Sequence, residues 1–243
     1  VMAMMSKNKT SLEAKNISAG YGEQIIIRNI DLDLHESSIT TIIGPNGCGK
    51  STFLKSISGI INPVEGEVSI YGSNVTELNT FELSKKGLGY VPQSENIFPS
   101  LSVEDNLKMG GYILSNDDYK KNLEYVLEMF PVLKDKLSDS SSNLSGGQRQ
   151  MLALSRALML DPKIIMLDEP TAGLSPIIVD EVLENIISLK KSNLSVLLVE
   201  QNAKKALKIS DFGAVFSFGK KVIEDEASRI LSDKEISKLY LGG

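Results

Sequence analysis

The sequence has very little cysteine, no long hydrophobic run and no excess of basic residues. Its only cysteine, Cys48, excludes an internal disulfide and fits a reducing compartment. No stretch approaches the roughly 18 consecutive apolar residues of a membrane-spanning helix. The formal net charge of −5 argues against a nucleic-acid surface, which normally carries a basic stripe. The opening segment Val1–Met5 lacks the basic start and apolar core of a secretory signal, so none is expected there.

The order of apolar segments predicts an α/β domain with an inserted lobe. At 243 residues the chain can bury a substantial core. Short apolar segments within 11–43 and 64–72, broken by glycine turns, predict a local antiparallel sheet. Later strands alternate with helices, as is typical of a mostly parallel sheet covered by helices. We therefore expect one domain over 1–243: an α/β core with its β subdomain (11–94 and 163–223), a helical subdomain (95–162) and a helical tail (224–243).

The stretch Gly44-Pro-Asn-Gly-Cys-Gly-Lys50-Ser51 matches the phosphate-binding pattern G-x-x-x-x-G-K-[ST]. A β-branched run precedes it and a helical pattern follows it, which is the context that this motif requires. The glycines let backbone N–H groups turn inward, and the helix N-terminus adds its positive end. The alternative is a glycine-rich turn before a core helix. The predicted nucleotide-binding residues here are Gly44, Pro45, Asn46, Gly47, Cys48, Gly49, Lys50, Ser51 and Thr52.

A second motif, Ile164-Ile-Met-Leu-Asp168-Glu169-Pro170, is an apolar strand that ends in two adjacent carboxylates. Together with the hydroxyl of Ser51, Asp168 at the sheet edge is predicted to hold Mg²⁺. Glu169 lies one residue further on, where it can orient or deprotonate a water in line with the γ-phosphate. The alternative is a strand that merely ends in acidic turn residues.

The third motif, Leu144-Ser-Gly-Gly-Gln148-Arg149-Gln150, comes before a helix. It offers a second anion site, because Ser145 is a helix cap and the glycines expose N–H groups at a helix N-terminus. This motif is the signature sequence of ABC ATPases, and the three motifs in this order make the chain resemble that family from about Leu12 to Gly219. The predicted contacts of this segment with nucleotide are Ser145, Gly146, Gly147 and Gln148.

The resemblance implies the fold and the composition of the site. It implies a P-loop NTPase fold of the ABC type, with a mostly parallel core sheet, an antiparallel β subdomain and an inserted helical subdomain. It also implies ATP and Mg²⁺ as ligands. Gln93 corresponds to the family's Q-loop glutamine, which touches Mg²⁺ and the attacking water, and Tyr21 to the aromatic that stacks on adenine. Taken alone, Tyr21 is more often a turn or core residue, and its position in the resemblance favours stacking on adenine. In this family two ATPases enclose two ATPs head to tail, so the signature of one subunit completes the P-loop site of the other.

Two positions depart from the family pattern. Most members have a histidine after the strand Ser195–Val199, where this chain has Gln201, and most have an aspartate where it has Ser175. A glutamine can donate a hydrogen bond to phosphate but cannot carry positive charge. These changes argue against fast, autonomous hydrolysis, although Glu169 can still act as the general base. The only histidine, His35, is expected to be a solvated surface residue.

The same departures indicate a subgroup. The chain resembles the shorter ATP-binding subunit of branched-chain amino-acid importers, whose close relatives serve urea or short amides. The segments that carry this resemblance are 91–93, 97–101, 172–176, 199–202 and 240–242. This implies a cytoplasmic protein on the inner face of the membrane, bound to integral permease subunits. It also implies an external solute-binding protein and a second, different ATP-binding subunit, with a homodimer possible in isolation. Nucleic acid is not an expected partner.

Three alternatives remain open at this point. The apolar residues that follow Gln93, namely Ile97, Phe98, Pro99, Leu101 and Val103, suit either a permease dock or the core of the helical lobe. A soluble ABC ATPase that acts on nucleic acid is a rival function, and the acidic balance disfavours it. A regulatory half-site with little turnover is a third, suggested by Gln201 and Ser175 and opposed by Glu169.

Overall fold

The computed structural model of the chain describes residues 9–94 and 96–240. The segment Val1–Met5 lies outside this range, and so do the last two residues of segment 240–242, one of the segments that carry the family resemblance. Within it, none of the helices is long and apolar enough to cross a lipid bilayer.

The strands form two sheets. Their bounds are β1 (Thr10–Tyr21), β2 (Gln24–His35), β3 (Ile39–Ile43), β4 (Glu65–Ile70), β5 (Ser73–Asn74), β6 (Leu88–Val91), β7 (Ile164–Asp168), β8 (Ser195–Val199), β9 (Phe212–Ser217) and β10 (Lys220–Glu226). The first sheet is antiparallel with the order β2-β1-β4-β5. The second has the order β10-β9-β3-β8-β7-β6 and is parallel except for the β9–β10 pair. Both the local antiparallel sheet and the mostly parallel core sheet are therefore as predicted.

Helices cover the core sheet and build the inserted lobe. Their bounds are α1 (Lys50–Ile57), α2 (Thr80–Lys85), α3 (Val103–Gly110), α4 (Asn116–Met129), α5 (Gly146–Leu158), α6 (Pro176–Lys191), α7 (Ala203–Ile209), α8 (Ala227–Ser232) and α9 (Lys234–Tyr240). Serine caps start the helices of the lobe, because Ser102, Ser115 and Ser145 each accept a hydrogen bond from the N–H three residues later.

Two sequence-based expectations differ from the structure. The sequence pattern predicts a helical tail from residue 224, but Glu224–Glu226 is the end of β10. This strand is held by its pairing with β9, which cannot be seen in the pattern of a single sequence. His35 is half-buried instead of solvated, with its ring edge-on to Phe212 at a centroid distance of 4.9 Å.

The core sheet is covered on both faces. Along β3, Ile39 packs in a cluster with the helices of the inserted lobe and α6, whereas Ile42 packs with α1 and the antiparallel sheet. Strands β3, β7 and β8 are buried along their whole length, as expected for parallel strands between two layers. Because parallel strands all end at the same edge, this packing brings the ends of β3, β7 and β8 together.

Candidate active site

The loop between β3 and α1 depends on glycine. Gly44 has φ 152° and Gly49 has φ 104°, both in the region that L side chains rarely adopt. Space is also lacking, since a Cβ on Gly44 would lie 2.2 Å from the carbonyl oxygen of Phe216, and one on Gly49 would lie 2.4 Å from Cγ2 of Ile27. The loop is therefore wrapped closely by neighbouring strands, and its backbone enters α1 at Lys50.

Lys50, the first residue of α1, is buried against this loop. Its Nζ donates hydrogen bonds to the carbonyl oxygens of Gly44 at 2.9 Å and Pro45 at 3.2 Å, and it lies 3.8 Å from Oε1 of Glu169. Only 4% of the side chain is exposed. A buried cation at a helix N-terminus, surrounded by positive-φ glycines, is suited to a multiply charged anion such as a triphosphate.

Asp168 and Ser51 meet where β7 ends and α1 begins. The Ser51 hydroxyl donates to Oδ1 of Asp168 at 2.9 Å. Burial raises the pKa of Asp168, and the Ser51 hydrogen bond with the charges of Lys55 and Lys50 partly offsets this. A carboxylate and a hydroxyl are hard oxygen ligands of the kind that Mg²⁺ uses in combination with phosphate oxygens and water. The donor set therefore fits this ion.

Glu169 is the point on which three predicted residues converge. Its Oε2 accepts hydrogen bonds from Nε2 of Gln93 at 2.8 Å and Nε2 of Gln201 at 2.6 Å, while Oε1 faces Lys50. The carboxylate is buried, and its backbone is left-handed with φ 48°. The three glutamine and glutamate side chains come from different strand ends, following β6, β7 and β8. Two amide donors and a cation thus hold one carboxylate beside the P-loop.

These residues line a cavity of about 490 Å³. Tyr21 stands at its wall with 47% of its surface exposed and Nζ of Lys55 5.9 Å from its ring centroid. Of the predicted P-loop residues, Gly44, Pro45 and Cys48 do not line the cavity, and Cys48 is buried. Ile26 lines the cavity but was not predicted, because an apolar residue in a strand gives no chemical signal. The lining is Tyr21, Ile26, Asn46, Gly47, Gly49, Lys50, Ser51, Thr52, Gln93, Glu169 and Gln201.

The signature segment does not line this cavity. Ser145 caps α5 in a capping box with Gln148, whose Oε1 accepts the Ser145 N–H at 3.0 Å and whose N–H donates to the serine hydroxyl at 3.2 Å. Gly146 and Gly147 pack against Leu174 and Ile178, where a Cβ would come within 2.9 and 2.8 Å of side-chain carbons. In this chain the signature therefore packs against the segment around Ser175 and does not line the P-loop cavity.

Sequence reasoning also passed over Glu200. It was assigned no role, yet its carboxylate is buried and accepts the backbone N–H groups of Thr171 and Gln201. An acid directly after an apolar strand was the available signal, the same one that identified Asp168 and Glu169.

Similarities to known proteins extend over nearly the whole chain. Residues 27–172 match the family described as ABC transporter. The high-affinity branched-chain amino acid transport ATP-binding protein BraG of Pseudomonas aeruginosa is 37% identical over 96% of this chain and 100% of its own length. The probable branched-chain amino acid transport ATP-binding protein LivF of Archaeoglobus fulgidus is 38% identical over 95% of this chain and 98% of its own. A solved structure of a nucleotide-free ATP-binding cassette from an ABC transporter superposes with a TM-score of 0.86 at 26% identity, covering 96% of this chain and 100% of that one.

Proposed function

This chain belongs to the ABC transporter family, and from that premise we propose that it powers an importer of branched-chain amino acids. It is an ATP-binding subunit that hydrolyses ATP. The observation that carries the ATPase role is the convergence of Lys50, Gln93 and Gln201 on the carboxylate of Glu169. The substrate class rests on BraG and LivF, whose names give branched-chain amino acids and whose lengths this chain nearly matches.

We assign triphosphate binding to the P-loop. With nucleotide bound, the backbone N–H groups of the loop and the N-terminus of α1 would hold the phosphates, and Lys50, which now donates to the carbonyl oxygens of Gly44 and Pro45, would donate to phosphate oxygens. Tyr21 offers the adenine an exposed aromatic face at the cavity wall.

We assign the Mg²⁺ ligands to Ser51, Asp168 and Gln93. When bound, this ion would neutralise charge on the phosphate oxygens. The protein's own contribution is to hold the oxygens of Ser51 and Asp168 together at 2.9 Å, at the junction of β7 and α1. The raised pKa of Asp168 means that acidification protonates this carboxyl sooner than an exposed one.

Glu169 is proposed as the general base. Its carboxylate takes a proton from water as the water oxygen bonds to the γ-phosphorus and the bond to the β–γ bridging oxygen breaks, which releases ADP and phosphate. Gln93 and Gln201 orient the carboxylate with their amide groups. Gln201 replaces the family's usual histidine with a neutral donor, so it positions Glu169 without adding charge.

A second ATP-binding subunit is proposed to cover the signature. Ser145 and Ser175 are exposed on one surface, joined through the contacts of Gly146 with Leu174 and Gly147 with Ile178. Ile177 in this surface has 81% of its area exposed. We favour a different chain as the partner, with a homodimer possible in isolation.

Permease docking and membrane attachment are also proposed. Among the apolar residues after Gln93, Ile97 and Val103 are buried in the core, whereas Phe98 is 41% exposed. Its ring lies 4.6 Å from the guanidinium carbon of Arg156, and Arg156 also donates to the carbonyl oxygen of Asn96. Phe98 is therefore the better candidate for contact with a permease on the inner face of the membrane.

The substrate assignment is tested in the assembled transporter. Vesicles containing this chain with its co-expressed permeases and second ATPase should take up leucine, isoleucine or valine with ATP when the binding protein is added. Uptake of urea or a short amide in their place would reassign the substrate. Turnover stimulated by nucleic acid without permease would contradict the transporter role.

A regulatory half-site is the second candidate, motivated by Gln201. The substitution Glu169→Gln separates the two. In a hydrolysing site it should trap ATP, promote dimers and lower turnover of the complex by about a hundredfold or more. Unchanged turnover of the complex would mean that the other subunit's site hydrolyses.

A further inference from the structure

Glu200 is a buried acid that the mechanism above does not use. It follows β8 directly, is 2% exposed, and its N–H donates to the carbonyl oxygen of Ile42 at 3.2 Å. Ile42 lies two residues before the P-loop glycine Gly44. The backbone of Glu200 is thus tied to the strand that leads into the phosphate site, while its side chain does not line the cavity.

The Glu200 carboxylate holds two backbone segments, one with each oxygen. Oε1 accepts the N–H of Thr171 at 3.0 Å, and Oε2 accepts the N–H of Gln201 at 3.1 Å. Burial raises the pKa of Glu200, and hydrogen bonds from Thr171, Gln201 and Asn202 oppose this rise by favouring the charged form. These hydrogen bonds, the side-chain bond of Thr171 first among them, therefore offset only part of the effect of burial on this carboxylate.

Both segments position Glu169. Thr171 comes two residues after it, and the left-handed backbone of Glu169 is uncommon for a residue with a side chain. The Glu169 N–H donates to the carbonyl oxygen of Val199 at 2.9 Å. The segment from Glu169 to Thr171 is therefore hydrogen-bonded to two consecutive residues, Val199 and Glu200. On the other side, Glu200 fixes the N–H of Gln201, whose amide then reaches Glu169.

We propose that Glu200 is a positioning residue for ATP hydrolysis, which keeps Glu169 and Gln201 in mutual alignment without touching the nucleotide. The inference rests on the proposed role of Glu169 as the base. Displacing a reacting group by about 1 Å can cost on the order of a hundredfold in rate. Loss of the Glu200 anchor should therefore lower kcat and leave nucleotide binding nearly unchanged.

The test is Glu200→Gln in the full chain, co-purified with its permease and ATPase partners. This substitution keeps the side-chain shape, but one of the two backbone N–H donors then faces the amide NH₂ group, which cannot accept a hydrogen bond. We expect kcat to fall roughly tenfold to a hundredfold, with KM for ATP and the affinity for a fluorescent ATP analogue within about twofold of the native values. Glu184→Gln makes the same chemical change on the exposed face of α6 and should leave both constants unchanged.

A second variant guards against misfolding. Glu200→Ser removes the carboxylate without opposing an N–H with an amide, and it should give the same separation of kcat from KM. Unchanged kcat in a folded variant, or a raised KM with native kcat, would overturn the proposal.

The Glu169→Gln background shows whether Glu200 acts through the base. Adding Glu200→Gln there should lower the residual turnover no further, because the aligned base is already gone. An equal further loss would mean that Glu200 acts independently, and the proposal would be wrong. If Glu169→Gln alone keeps native turnover, the proposed base fails. If it abolishes turnover while Glu200→Gln does not lower it, only the positioning role fails.

Discussion

The hydrogen bond from Gln201 to Glu169 allows a quantitative prediction about the residue that replaces the family's usual histidine. In Gln201→Ala, Oε2 of Glu169 loses the amide donor at 2.6 Å and keeps Gln93 at 2.8 Å. A hydrogen bond to a charged group contributes about 1.5–3 kcal/mol. Gln201 is exposed, so water can replace part of the interaction, and the lower value of about 1.5 kcal/mol applies. This corresponds to a decrease in kcat of about tenfold.

The assay is steady-state ATP turnover by the assembled transporter, with kcat and KM determined separately. Gln201→Ala should lower kcat about tenfold and leave KM for ATP nearly unchanged, and its effect should be smaller than that of Glu169→Gln. Asn116→Ala, which removes an exposed amide at the start of α4, is the matched control. The reasoning is refuted if kcat stays native. It is also refuted if only KM rises, because Gln201 would then bind ground-state phosphate instead of aligning the base.

Three further predictions concern metal, partner and loop. Chelation of Mg²⁺ should abolish turnover, and Asp168→Asn should raise the Mg²⁺ concentration needed for half-maximal rate; a native metal requirement in the variant would exclude Asp168 as a ligand. Phe98→Ala should weaken co-purification with the permeases while the affinity for ATP stays native, and unchanged recovery would place the dock elsewhere. Gly49→Ala should lower the free energy of unfolding by on the order of 1–3 kcal/mol, since its φ is 104°. A native thermal midpoint would contradict that strain.

Much of the fold was predictable because its signals are local. The apolar runs of β3, β7 and β8 were predicted as strands of the core sheet, and all three are buried along their whole length. Strand β10 was missed because residues Lys220–Glu226 are mostly polar and owe their conformation to pairing with β9. The half-burial of His35 likewise depends on Phe212, which is distant in sequence.

By itself the sequence determined the P-loop, the Asp168–Glu169 strand end and the signature. Each motif is a continuous stretch, and its residue types indicate what it can bind or catalyse. Only the tertiary structure decided which of these meet. Parallel strands deliver Gln93, Glu169 and Gln201 to one sheet edge, where their side chains bond, and the helical lobe directs Ser145 to another surface. The role of Glu200 depends on hydrogen bonds to Thr171, 29 positions away, and to the N–H of its own neighbour. Contacts of that kind are set by packing, which a single sequence does not specify.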